Sequence, residues 1–214
     1  MNSPAVFLLP GWQGSGMSPI IEHPDVARML LTMKVLTQGA RAITYACAHA
    51  VDLSHGEEAR PWAERASLLT PVAKSFATDA GVDVASLGVQ VHGGMGFIEE
   101  TGAARLYRDA RIAPIYEGTN GIQAMDLVGR KLSQDGGASA RALIAEMAAT
   151  LPALTKLYPG KPSERFATGI EAVEDATLWL LDAKADASRG ADVLAAADAY
   201  LKLLGDVVGG WMLA

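Results

Sequence analysis

Pro24-Asp25-Val26-Ala27-Arg28-Met29-Leu30-Leu31-Thr32-Met33-Lys34-Val35-Leu36 opens a stretch whose apolar residues fix the fold class. From Val26 through Met29, Leu30, Met33, Leu36, Ala40, Ile43, Cys47 and Ala50 they recur at spacings of three and four, the period of one helix face. Pro24 and Asp25 suit a first turn and Gly56 an ending, so the stretch predicts a helix of about thirty residues, roughly 45 Å long. Such a length belongs to a bundle rather than to the short crossover of an α/β unit. A second helix follows, with Ala66, Leu69, Ala73, Phe76, Ala80, Val84, Leu87 and Val91 in the same period until Gly93, Gly94 and Gly96 stop it.

Outward from this pair, the pattern predicts a short charged helix over 101–109 and another, capped by Thr119 or Asn120, running to Leu132. Ser133 to Ala138 is small, polar and carries a double glycine, which marks a linker. Beyond it, three helices are expected at 139–156, 163–188 and 190–213, the last with the stripe Leu194, Ala197, Leu201, Leu204, Val208 and Trp211. Residues 1–18 differ in kind: Val6 to Leu9 reads as a strand, broken at Pro10-Gly11 before Gly14-Ser15-Gly16. The expected architecture is therefore all-α, an up-and-down bundle over 19–133 with an additional helical segment over 139–214 and a separate lead-in over 1–18.

Composition sets the outer limits. The 214 residues carry 18 basic and 24 acidic side chains, a net charge of −6, and no Lys/Arg run, which argues against a nucleic-acid partner. Cys47 is the single cysteine, so no disulfide framework exists. Asp192, Asp198, Lys202 and Asp206 interrupt the most apolar segment, which excludes a membrane span, and with no signal-like opening a cytoplasmic or organelle-matrix location is expected, the cytoplasm first. No metal site is expected, because His23, His49, His55 and His92 show neither an i, i+4 pair nor a cysteine at ligand spacing. Gly14-Ser15-Gly16 lacks the spacing of a nucleophile elbow, which leaves a serine hydrolase without its nucleophile.

Two segments break helices in ways that packing alone does not demand. Gln90-Val91-His92-Gly93-Gly94-Met95-Gly96-Phe97 admits close approach of a flat or phosphorylated group, although a glycine-rich helix stop would read the same. Arg108 to Gln123 sets Glu117 between Ile115-Tyr116 and a helix start. Burial beside Ile115 and Tyr116 would disfavour charge on this carboxylate and the helix N-terminus would favour it. Opposed in that way, it could stay ionised yet poorly hydrated, as a general base requires, although a surface glutamate at a helix entrance would read the same.

Gln-Val-His-Gly-Gly-Met-Gly-Phe at 90–97, Tyr107-Arg108-Asp109-Ala110-Arg111-Ile112 and Ile115-Tyr116-Glu117-Gly118-Thr119-Asn120-Gly121-Ile122-Gln123 closely resemble, in order and spacing, the C-terminal domain of flavin-dependent acyl-CoA dehydrogenases. Ile21 to Leu30 is similar to the start of a bundle helix there. Residues 139–214 resemble the extra helical region of longer members, those acting on methylthiopropionyl-CoA among them. The resemblance implies that Glu117 removes the acyl α-proton while a hydride leaves the β-carbon for FAD. It implies that the Glu117 N–H helps to hold the thioester carbonyl, with Tyr116 and Gly118 beside the substrate. Thr119, Asn120 and Gly121 would contact FAD, and Gln90, Val91, His92, Gly93 and Gly94 would serve the flavin of a neighbouring subunit.

Glutamate before Gly-Thr also separates this chain from members whose base lies on another helix. The implied partners are an acyl-CoA, further copies in a homo-oligomer, and an electron-transfer flavoprotein or similar acceptor. The family's upstream helical and β-domains and its first bundle helix have no counterpart here, so the chain alone is expected to be an incomplete enzyme. Residues 1–16 instead resemble the first strand and loop of small serine-hydrolase-like proteins. The competing reading is a helical assembly module that keeps cofactor-like loops without catalysis, and flavin content separates the two.

Overall fold

The computed structural model describes residues 18–57 and 59–214, and among these every regular element is helical. Helices α1 (Pro24–Leu53) and α2 (Ala59–Val91) form the expected long pair. Their contacts run antiparallel: the Cys47 Sγ lies 3.7 Å from the Thr70 Oγ1, Gly39 faces Phe76, and Gly88 faces Met33. Short α3 (Gly94–Phe97) and α4 (Ala103–Ala110) follow, then α5 (Asn120–Asp126), α6 (Ala138–Leu157), α7 (Lys161–Ala185) and α8 (Gly190–Leu213). The strand expected at Val6–Leu9 lies outside the described residues.

Boundaries follow the sequence closely, with three instructive differences. Helix α2 begins seven residues before its first expected core position, in a solvated turn where Arg60 pairs with Glu64 at 2.9 Å. The helix expected to run unbroken to Leu132 changes to a π turn over Leu127–Lys131, closed by the Leu132 N–H donating to the Leu127 carbonyl at 2.8 Å. An α turn would set Leu127 and Leu132 on different faces, whereas the five-residue π step brings both into the core, where each is almost fully buried. On α8 the expected stripe is buried at Ala197, Leu201, Leu204 and Val208, but Val193 rather than Leu194 fills its first position.

One apolar core runs through both halves of the chain, joining Ile43, Leu69 and Val72 to Leu143, Val173, Leu201 and Val208. The glycine pair expected to mark a linker makes a tight turn instead. Gly136 and Gly137 have φ of 64° and 80°, and a Cβ on Gly137 would lie 2.5 Å from Leu181 Cδ1. Polar contacts add register: Arg65 of α2 forks onto Glu146 of α6, and the buried Tyr200 and Thr177 hydroxyls meet at 2.8 Å between α8 and α7. Because Thr177 donates to the Val173 carbonyl at 2.6 Å, Tyr200 must be the donor in that pair.

The two halves also meet at the half-buried Phe76. Its ring lies against Gly39 of α1 and against Gly205 and Gly209 of α8, and a Cβ on Gly205 would come within 3.0 Å of it. Truncation by Phe76→Ala should therefore cost about 3 kcal/mol, typical for a packed aromatic. Urea unfolding of the purified chain measures this, and a change below about 0.5 kcal/mol, the level of an ordinary surface substitution, would deny the ring its role.

Candidate active site

The Glu117 segment is an outward turn pinned at both ends. At its start the Tyr116 N–H donates to the Ile112 carbonyl at 3.1 Å, and at its end the Asn120 N–H donates to the Pro114 carbonyl at 3.0 Å. Between them Glu117 has φ 52° and Gly118 φ 87°, both left-handed. Glu117 is the one non-glycine residue with positive φ among those described, and such a conformation costs about 1–2 kcal/mol and persists only where the surroundings impose it. Thr119 resolves the choice of cap: its Oγ1 accepts from the Ile122 N–H at 3.2 Å and starts α5.

The expected burial of Glu117 is not found in this chain. Glu117 is exposed, and Ile115 and Tyr116 beside it are half-exposed, because the pinned turn swings residues 115–119 away from the helices. Gly118, Thr119 and Gly121 share the exposed side. Asn120 goes the other way. It is 8% exposed, and its amide is engaged by Lys74, Thr78 and Asp79 of α2. Among the described residues the N–H of Glu117 makes no backbone hydrogen bond, so a donor stands beside the carboxylate.

The other segment ends α2. Gln90, His92, Gly93 and Gly94 are exposed and Val91 is half-buried. The His92 Nδ1 lies 2.7 Å from the Gly88 carbonyl, to which it must donate. Its glycines divide by role. Gly93 has φ 60°, and side chains at Gly93 or Gly94 would meet nothing within 4 Å. Gly96 is buried, and a Cβ there would come within 2.2 Å of the Val89 carbonyl. The positions thus differ: Gly96 serves packing, while Gly93 and Gly94 leave open backbone.

The structure does not bring the two segments together. Asp79, which holds Asn120, precedes Gln90 on α2 by eleven residues, roughly 17 Å of helix. What sequence reading missed was the inward set of Lys74, Thr78 and Asp79. Their spacing of four and one on a helix looks like an ordinary polar stripe, and only the return of residue 120 gives it a task.

Comparison with known proteins decides the family. The family description "Acyl-CoA dehydrogenase, C-terminal domain" matches residues 13–132, more than half of the chain, and "Acetyl-CoA dehydrogenase C-terminal like" matches residues 142–214. The chain belongs to the acyl-CoA dehydrogenase family. The first match begins at residue 13, inside the segment expected to be a lead-in. The 3-methylmercaptopropionyl-CoA dehydrogenase of Ruegeria pomeroyi is 49% identical over 201 residues, covering 91% of this chain and 34% of the relative. A butyryl-CoA dehydrogenase of Syntrophomonas wolfei is 39% identical over 132 residues, 60% of this chain and 22% of that protein. Among solved structures, Caenorhabditis elegans ACDH-11 in complex with C11-CoA aligns with a TM-score of 0.70 at 27% identity, covering 94% of this chain and 33% of that one.

The match therefore spans between about a fifth and a third of the length of these relatives. Among the described residues no helix is long and apolar enough to cross a membrane.

The division among the glycines is directly testable. Gly96→Ala should destabilise the chain by about 1–3 kcal/mol through overpacking. Gly94→Ala, which meets open space, should stay within about 0.5 kcal/mol of the parent. Thermal unfolding of both variants checks this, and equal losses would contradict it.

Proposed function

We propose that the protein containing this chain catalyses α,β-dehydrogenation of an acyl-CoA thioester, with Glu117 as the α-proton base. The observation that carries the reading is the conformation of Glu117: exposed, left-handed, and fixed by bonds on both sides that would not be needed to hold a surface glutamate. Its carboxylate takes the proton as the α C–H bond breaks, and the electron pair left behind becomes the new C=C bond as hydride departs from the β-carbon. FAD, when bound, supplies the two-electron acceptor for that hydride. The free N–H of Glu117 suits the thioester oxygen as negative charge develops there, and water exclusion by bound substrate would strengthen both interactions. Tyr116 and Gly118 flank the carboxylate on the same exposed side and are assigned to the substrate.

The residues fit FAD where backbone is open. Gly93 and Gly94 leave room for a ligand that a Cβ would otherwise occupy, next to Gln90, Val91 and His92. Thr119 and Gly121 offer exposed backbone beside the base, whereas the Asn120 side chain is committed to α2, which confines its share to the main chain. The distance between the two segments supports their serving two different flavins, and thus a homo-oligomer. Exposed Leu31, Val35, Tyr45 and Val51 along α1 supply apolar surface for such assembly or for upstream parts of the protein. An electron-transfer flavoprotein or similar acceptor would reoxidise the enzyme.

The test uses an intact enzyme in which this chain is joined to the upstream portion that its relatives possess. Glu117→Gln keeps size and most hydrogen bonding but cannot take a proton, so FAD and acyl-CoA should still bind. Flavin reduction, followed by anaerobic stopped-flow absorbance, should fall by about 10³-fold or more, the upper range for a general base. Retention of more than about a tenth of the parent rate, a loss of under 1.4 kcal/mol of barrier, would overturn the assignment.

A further inference from the structure

The set behind Asn120 answers a question that the base assignment raises: what holds a glutamate in a left-handed turn on an exposed loop. Lys74 Nζ donates to the Asn120 Oδ1 at 2.6 Å, while the Asn120 Nδ2 donates to the Asp79 Oδ1 at 2.7 Å and to the Thr78 Oγ1 at 3.0 Å. Thr78 is available as an acceptor because its own proton goes to the Lys74 carbonyl at 2.7 Å. A cation on one side and an anion on the other demand a side chain that accepts and donates at opposite ends. Asparagine meets that demand at this length. An apolar replacement would strand two half-buried charges, and an aspartate would set a second carboxylate against Asp79.

The side-chain clamp acts on the backbone of the same residue. The Asn120 N–H closes the turn onto Pro114, so wherever the amide is fixed, the end of the turn is fixed with it. Thr119 adds the cap and Tyr116 the opening bond, but both lie on the exposed side, and neither reaches α2. The anchor to the bundle is therefore Asn120. We infer that Lys74, Asn120 and Asp79 are positioning residues: their bonds hold the 114–120 turn so that Glu117 presents its carboxylate in one direction. None of them touches reacting atoms, since Asn120 points into the bundle and Glu117 away from it. This rests on the reading of Glu117 as the base.

The test is a complementation series in the intact flavoenzyme: Asn120→Asp, Asp79→Asn, both together, and Glu117→Gln alongside. Asn120→Asp should retain FAD and bind a non-reactive acyl-CoA analogue within about twofold of the parent, yet reduce its flavin at least about tenfold more slowly. Small misplacement of a reacting group is enough for that loss. The double variant exchanges carboxylate and amide across the contact, restores a donor facing an acceptor, keeps an acceptor for Lys74, and should recover to within about threefold of the parent.

Such recovery is not expected if residue 120 merely stabilises the fold. Parental reduction by Asn120→Asp, or a defect that the second change leaves in place, would overturn the inference. Loss of FAD in step with rate would overturn it too, by making Asn120 a cofactor-holding residue. A parental rate in Glu117→Gln would instead remove the base assignment, a different result from failure of the anchor.

Discussion

The ring of Phe76, seated where Gly39, Gly205 and Gly209 leave room, joins α1, α2 and α8 at one point, and the remaining architecture depends on that junction. There the C-terminal segment meets the long helix pair, with which it shares one apolar core. Helix α8 then lies against α5 and the π turn, the elements that begin where the Glu117 loop ends. The second segment is thus a buttress for the loop as well as a separate family match. Packed interiors transmit displacement, so a shift of α8 would be felt in α5, which begins at Asn120.

The loop itself has two unlike sides. Inward, Asn120 spends its amide on a cation, an anion and a hydroxyl of α2; outward, Glu117, Gly118 and Thr119 keep backbone and carboxylate accessible. Strain at one exposed residue is balanced by bonds at a buried neighbour, the arrangement expected where a side chain must be aimed rather than merely displayed. The two charges that clamp Asn120 are only half-buried, so each retains water while still favouring one orientation of the amide.

Much of this was legible in the sequence because it is local. Periods of three and four placed α1 and α6 to α8 within a few residues of their ends, and the Gly93–Gly96 cluster marked the end of α2. The order of the Glu117 motif pointed to the family. What stayed hidden is what depends on partners distant in the chain. The π turn answers to two leucines that both need the core, and Val193 replaces Leu194 on the buried face of α8 because of how that helix meets its neighbours. The burial expected for Glu117 assumed that apolar neighbours in sequence are covered. Backbone bonds at Pro114 and Ile112 turn them outward instead. The motif's resemblance assigns Asn120 to the cofactor, and nothing near it in sequence shows that Lys74 and Asp79 already claim its side chain.

The account stands or falls on whether Glu117 itself handles the α-proton. Proton exchange at the acyl α-carbon isolates that step from hydride transfer. An acyl-CoA is incubated in D2O with the intact, anaerobically reduced enzyme, and loss of its α-proton signal is followed by NMR. The parent should exchange the α-proton and Glu117→Gln should not. Exchange at the parental rate in Glu117→Gln would contradict the assignment directly.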